Sequence, residues 1–291
     1  MTAIKLDGQA LATQMQGALA ARIGALKERG VTPGLATLLV GDDAPSHKYV
    51  SMKHVDCAEL GIRSFDERLP ADATEADVLA VVDRFNTDPE IHSCLLQYPF
   101  PKHLDYESLA LKVDPDRDAD GLHPVNLGKL VMGVKAPLSC TPAGIQALLV
   151  HYDVPIEGQH VVIVGRGLTI GRPLANLLSL KWPHANAAVT TVHTGVADLG
   201  PYTRQADILV AAAGSPRLIA PDMVKPGAAV VAAGVSFHDG KTVSDVDDDV
   251  AEVAGWLSPR FGGVGPMTRA MLYENTVQAA EHRVAIEAAP T

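Results

Sequence analysis

Apolar residues recur at three- and four-residue spacing through GQALATQMQGALAARIGALKER (8–29) and stop at Gly30, which predicts an amphipathic helix with a glycine terminator. The period then changes. LATLLVG (35–41) is a short apolar run ahead of turn residues, SHKYVSMKHVDCAEL (46–60) returns to helical spacing, and IRSFDERL (62–69) alternates as a strand does. Thr74 with Asp77 three positions on has the form of a capping box opening a helix through about Phe85. IHSCLLQ (91–97) reads as the next buried strand, so a parallel sheet is predicted. A helical stretch between proline-marked ends occupies part of 137–159. A second alternation begins at HVVIVG (160–165), with strands predicted at about 160–164, 188–193, 207–212 and 228–233. The last segment, 267–288, carries a long helical pattern after a glycine-rich loop and suits a return to the first unit. The prediction is an α/β fold of two units, each with an open parallel sheet, meeting near 138–141.

The length of 291 residues is close to twice the roughly 100–150 residues of a modal domain, in keeping with two units. With 47% hydrophobic and 20% charged residues the composition is that of a soluble globular chain. The net charge of −10 is spread without a basic stripe, so a nucleic-acid partner is not expected. No window of about 18 apolar residues occurs, and MTAIKLDGQALATQ lacks the apolar run of a signal peptide; no membrane partner and a cytoplasmic location are expected. Cys57, Cys94 and Cys140 show no CxxC spacing, which suggests reduced packing residues and no metal site. The acidic run DVDDD (245–249) is most simply a solvated face.

HVVIVGRGLTIGRPLANLL runs from a buried strand through Gly165, Gly167 and Gly171 into a helix. That context suits a dinucleotide: glycines allow a tight turn and close backbone approach, and helix N–H groups face a pyrophosphate. The spacing is GxGxxxG, and a plain glycine turn is the competing reading. NAD sites carry an acidic residue roughly 20 positions on to hold the ribose hydroxyls. No Asp or Glu lies between Gly171 and Asp198; instead the second strand ends in His193 and Thr194, and Arg166 sits inside the turn. A 2′-phosphate would meet a cation and a hydroxyl there, which predicts NADP over NAD.

Ser46, Tyr49 and Lys53 stand at i, i+3 and i+7 and share one helix face. A lysine partly desolvated against a ring gives up its proton more readily, so such a face suits acid–base chemistry; an exposed lysine beside a packed tyrosine is the plainer alternative. Gln97 is placed at the exit of a predicted strand, where ligands meet open parallel sheets, and Pro99 and Pro101 stiffen the loop beyond it. DPDRDADGLHP (114–124) begins like a calcium loop, but its twelfth position is Leu127 where a bidentate Glu is needed. A solvated acidic loop is favoured over a carboxylate turned inward to hold a nitrogen-rich ring. FGGVGPMT (261–268) is either a loop that approaches ligands by backbone alone or a hinge.

Taken together, these segments resemble the bifunctional methylenetetrahydrofolate dehydrogenase/methenyltetrahydrofolate cyclohydrolase family over nearly the whole chain. YVSMK is similar to its Y-x-x-x-K, LLQYPFP to VQLPLP and DADGLHPVNLGKL to DVDGFHPxNxGxL. SCTPAG is similar to PCTPxG, VVIVGRGLTIGRP to VVGRSxxVGxP, and FGGVGPMTRAML to PGGVGPMTxAML, all in the family's order. The resemblance implies NADP-dependent oxidation of 5,10-methylenetetrahydrofolate to the 5,10-methenyl form and hydrolysis of that product to 10-formyltetrahydrofolate. It implies a catalytic folate-binding domain at 1–139, joined by the C-terminal helix 268–291, and a Rossmann-like NADP-binding domain at 140–267, with the site in the cleft between them. Lys53 would move the proton in hydrolysis, Gln97 would orient it, Tyr49 would stack on the folate, Asp120 would hold the pterin ring, and Ser46 and Pro266 would contact substrate. Gly165, Arg166, Gly167, Gly171, Pro173, His193, Thr194, Gly214, Gly234 and Val235 would contact NADP. A homodimer is implied as well. Departures from the family pattern are Gly167 for its serine, Tyr98 and Phe100 for two leucines, TTVHT for TVCHS, VAAGVS (231–236) for DVGIN, and Phe261 for a proline. These leave open an enzyme with one of the two activities, or a nucleotide-sensing module that keeps the fold.

Overall fold

The computed structural model describes residues 3–238 and 241–287, so the predicted helix beyond 287 lies outside the described residues. In chain order the elements are β1 (Ile4–Lys5), α1 (Gly8–Glu28), β2 (Gly34–Val40), α2 (Ala44–Leu60), β3 (Arg63–Leu69), α3 (Glu75–Thr87), β4 (Ser93–Gln97), α4 (Tyr106–Ala110) and α5 (Pro124–Val131). They continue with α6 (Cys140–His151), β5 (His160–Val164), α7 (Gly171–Ser179), β6 (Ala188–Val192), α8 (Gly200–Thr203), β7 (Ile208–Ala211), β8 (Ala229–Ala232), β9 (Val235–His238), β10 (Lys241–Ser244), β11 (Trp256–Leu257) and α9 (Val264–Glu287).

The chain forms two compact units. One contains the described parts of Gln14–Lys129, Lys135–Leu138 and Leu272–Thr291, and the other those of Met1–Thr13, Leu130–Val134 and Ser139–Met271. The predicted division at 139/140 put the N-terminal residues with the first of these. They group with the second because β1 pairs in parallel with β11, Ile4 against Trp256.

In the first unit a parallel sheet has the order β3-β2-β4. Every residue of β2 is buried, which is why it reads as an unbroken apolar run, whereas the edge strand β3 alternates exposed and half-buried positions. The connecting helices are set by local chemistry. Asp43 caps α2 by accepting the Ser46 N–H, Pro45 occupies the first turn, and Gly61 closes the helix in the left-handed conformation at φ 76°. The capping box at α3 forms as expected, Thr74 and Asp77 satisfying each other's N–H groups. Phe85, Val78, Val82 and Leu38 lie in the core between α3 and the sheet.

The second unit holds a six-stranded parallel sheet in the order β1-β11-β8-β7-β5-β6. The chain passes from β5 out to β6 and then back to β7 on the other side of β5. Crossover direction therefore reverses at β5, the place where open α/β sheets form a ligand crevice. Its four long strands match the predicted ones within a residue: β5, β7 and β8 are nearly continuous buried apolar runs, and β6, at the sheet edge, carries the β-branched residues of AVTTV. The β9–β10 hairpin and the two-residue strands β1 and β11 were not predicted. Among the described residues, no helix is long and apolar enough to cross a membrane.

Candidate active site

Within the first unit, α2 and the carboxyl end of β4 bring the predicted polar residues together. The Lys53 ammonium donates to Gln97 Oε1 at 3.1 Å, and Gln97 Nε2 donates to the Tyr98 carbonyl at 2.9 Å. That carbonyl lies 3.3 Å from the buried Ser46 hydroxyl, which donates to Asp43 Oδ2 at 2.6 Å. Ser46, Gln97 and Lys53 are thus joined in one network, with Asp43 at its far end. Asp43 was not singled out from the sequence, though an Asp ahead of Ala-Pro at a helix start is a legible cap signal. Tyr49 lies on the same helix but is 58% exposed, its ring offered to solvent. The hydrogen bond that orients the lysine is the one made to Gln97.

The acidic loop is not the solvated one favoured from the residues. Asp118 is buried and accepts from the Gly121 N–H at 3.0 Å, the His123 N–H at 2.7 Å and Asn126 Nδ2 at 3.0 Å. A carboxylate so bonded folds the loop around itself, with Gly121 at φ 67° making the turn. The loop is also tied to β4, since Ala119 donates its N–H to the Cys94 carbonyl at 3.1 Å. Asp120, next along, is half-buried and makes none of these bonds. Burial pushes its carboxyl above the usual range; the Lys53 charge opposes that and Asp118 adds to it. A carboxylate near a lysine, with no hydrogen-bond donor among the described residues, suits a ligand rich in N–H groups.

Two departures from the family pattern have a visible reason. Tyr98 and Phe100 each pack edge-on against Tyr106, with ring centroids 5.2 Å apart in both pairs, and the Tyr106 hydroxyl donates to the Leu96 carbonyl at 3.1 Å. The rings brace the loop beside Gln97 where leucines would pack without direction. The three cysteines are buried, and burial pushes the Cys57 and Cys94 thiols up to about 12.

In the second unit the glycine turn follows β5. A Cβ on Gly165 would stand 2.1 Å from the Ala212 carbonyl oxygen, and φ there is 139°; a Cβ on Gly171 would stand 2.2 Å from the Gly165 oxygen. Only glycine fits at either place. Gly167 faces open space, so the hydroxyl it lacks relative to the family is a loss of function groups and not of packing. Arg166 and Thr194 are exposed, Pro173 is buried in α7, and His193 accepts the Gly195 N–H on Nδ1 at 3.1 Å. Gly214 and Gly234 lie in the loops that leave β7 and β8, and Val235 opens β9 directly after the second of them. These residues fit a dinucleotide: a narrow backbone turn ahead of the nine-residue helix α7, with a surface arginine in the turn and an exposed threonine just past β6. Pro266 sits in the first turn of α9, in this same unit. In the loop before it, Gly263 is fixed by packing, a Cβ there standing 2.4 Å from the Pro259 oxygen.

The acidic run 245–249 also departs from expectation. Asp247 caps a short 3-10 turn by accepting the Asp249 N–H at 3.1 Å, but Asp245 is wholly buried and faces the protein.

The class defined by this fold and site is a two-unit α/β enzyme, with a lysine–glutamine pair on one parallel sheet and a dinucleotide turn on the other. Residues 6–120 match the tetrahydrofolate dehydrogenase/cyclohydrolase catalytic domain, and residues 139–284 match the NAD(P)-binding domain of the same family. The chain belongs to the tetrahydrofolate dehydrogenase/cyclohydrolase family. It is 53% identical over 283 residues to the bifunctional protein FolD of Syntrophotalea carbinolica, covering 97% of this chain and 98% of that one. Among solved structures, FolD methylenetetrahydrofolate dehydrogenase/cyclohydrolase from Campylobacter jejuni is 40% identical, with a TM-score of 0.92 over 96% of this chain and 98% of that one. The Trypanosoma brucei enzyme, solved with NADP cofactor and inhibitor, is 36% identical, with a TM-score of 0.91 over 98% and 99%.

Proposed function

We propose that this protein oxidises 5,10-methylenetetrahydrofolate with NADP and hydrolyses the methenyl product to 10-formyltetrahydrofolate. The observation that carries the reading is the Lys53–Gln97 pair at the carboxyl end of a parallel sheet, with Asp120 close enough for Lys53 to influence its titration. Bound NADP supplies a hydride acceptor for the methylene carbon. Oxidation in this direction needs no protein nucleophile or metal, only a folate held in register.

Hydrolysis adds water to the methenyl carbon, loses one proton and opens the bond to one folate nitrogen. Lys53 serves the proton transfer around the attacking water, and Gln97 aims the lysine while its own amide is fixed by the Tyr98 carbonyl. Asp120 accepts from the N–H groups of the pterin, Tyr49 offers an exposed ring for stacking, and Ser46 and Pro266 complete the substrate contacts. The cytoplasm and a homodimer belong to the same reading, which family membership supports. Mixing the protein with NADP and 5,10-methylenetetrahydrofolate and following NADPH and methenyl absorbance together tests it. NADPH without methenyl build-up, with 10-formyltetrahydrofolate identified as product, is the expected result; no NADPH would sink the proposal.

Two predictions follow from the charged groups. The raised carboxyl of Asp120 holds a pterin fully only when ionised, so KM for folate is expected to climb as pH falls, beginning above the usual carboxylate range. In Asp120→Asn, whose side chain does not titrate, the profile should be flat and KM high throughout. Equal profiles for the two proteins would contradict the role.

For the cofactor, the 2′-phosphate meets Arg166 with Thr194 as a hydroxyl donor. Arg166→Ala is expected to raise KM for NADP about tenfold, the loss of one charge-assisted hydrogen bond, with little change for NAD. Comparable turnover of the parent protein with NAD and NADP would defeat the preference itself.

A further inference from the structure

We infer that Asp245 is a positioning residue for the cofactor, fixing the loops that leave β7 and β8. The inference rests on the reading of the second unit as an NADP site. Asp245 has no exposed surface, and its Oδ2 accepts two successive N–H groups, from Ala213 at 2.7 Å and Gly214 at 2.9 Å. Its backbone is used as well: its N–H donates to the Gly234 carbonyl at 3.1 Å, and its carbonyl accepts from the Ile219 N–H at 2.9 Å. Gly234 packs so closely on the carboxylate that a Cβ there would stand 1.9 Å from Oδ2. One buried residue thus ties the loop after β7, through its carboxylate, to the turn after β8, through its backbone N–H, beside the point where crossover direction reverses.

Packing of a core alone would not place a polar side chain here. Burying a carboxylate is costly unless it is hydrogen-bonded, and Oδ1 has no hydrogen-bond partner among the described residues. What the side chain supplies is one oxygen that accepts from two adjacent amides, which sets where Gly214 and, across that oxygen, Gly234 present their backbone. Gly214 at φ 64° is held in the left-handed region by that grip. Gly214 and Gly234 are loop residues implied to meet NADP, and neither has a side chain that could fix its own position against a polar ligand.

The test compares Asp245→Asn and Asp245→Ala with the parent protein, measuring KM for NADP and kcat of the oxidation, and hydrolysis of methenyltetrahydrofolate as the internal control. An asparagine carbonyl can take over both N–H groups; alanine cannot. The expected result is a KM for NADP raised tenfold or more in Asp245→Ala and within threefold of the parent in Asp245→Asn, with hydrolysis unchanged in both. Should the alanine variant not fold, Asp245→Ser, too short to reach both amides, carries the same expectation. An unaltered KM in the short variants, or a parallel fall of oxidation and hydrolysis, would overturn the inference. A parent protein that oxidises nothing with NADP would instead overturn the underlying reading.

Discussion

Replacing Lys53 by methionine is expected to lower cyclohydrolase turnover by about 10²–10⁴-fold, the usual worth of a positioned proton-transfer group. Methionine matches the length of the lysine stem and is at home in a helix, so α2 should persist. Only the ammonium that donates to Gln97 is lost. Oxidation should survive to a far greater degree, because hydride transfer needs positioning and no proton from the protein. The check is decay of methenyl absorbance in one assay and NADPH formation in another, with a melting curve for each protein. Hydrolysis at the parent rate would remove Lys53 from the mechanism. Gln97→Ala should lower hydrolysis less, since it frees the lysine without removing it.

The second large effect is expected at Gly165. Alanine there must place its Cβ 2.1 Å from the Ala212 oxygen while adopting φ 139°, so both steric overlap and backbone strain act at one buried position. Each contributes on the order of 1–3 kcal/mol, and the sum is a large part of the stability of a typical domain. Gly165→Ala is expected to lower the melting temperature by roughly 10 °C and to abolish measurable NADP affinity. Gly167→Ser, in the same loop but facing open space, should leave the melting temperature unchanged and lower KM for NADP if its hydroxyl meets a phosphate. A stable, NADP-binding Gly165→Ala protein would mean that the turn is not shaped by close backbone approach.

Much of the fold was legible because its main strands are buried on both faces. HVVIV and GLATLLV are apolar but for His160 and Thr37, and the helices between them are marked by capping residues such as the Thr74–Asp77 box and by Gly61. The β9–β10 hairpin was missed because strands of four residues with mixed exposure leave no period to read, and β1 and β11 because two residues cannot show one. Ser46, Lys53 and Gln97 were found by spacing on a helix face and by position at a strand exit, both local properties. Nothing local distinguished Asp118 from Asp120, or Asp245 from Asp247.

By itself, then, the sequence determined the two α/β units, the order of their main strands along the chain and the glycine turn, since each follows from periodicity or from a motif a few residues long. The tertiary structure alone decided which acids are turned inward. Asp245 owes its burial to N–H groups that arrive from elsewhere in the fold, at 213 and 214, whereas Asp118 accepts from its own loop at 121 and 123 and is buried because Ala119 ties that loop to β4. A run of carboxylates looks the same on paper whether water or backbone amides will satisfy it. The choice is made when the strands bring those amides within hydrogen-bond reach, where leaving a buried donor or acceptor unpaired costs more than exposing it.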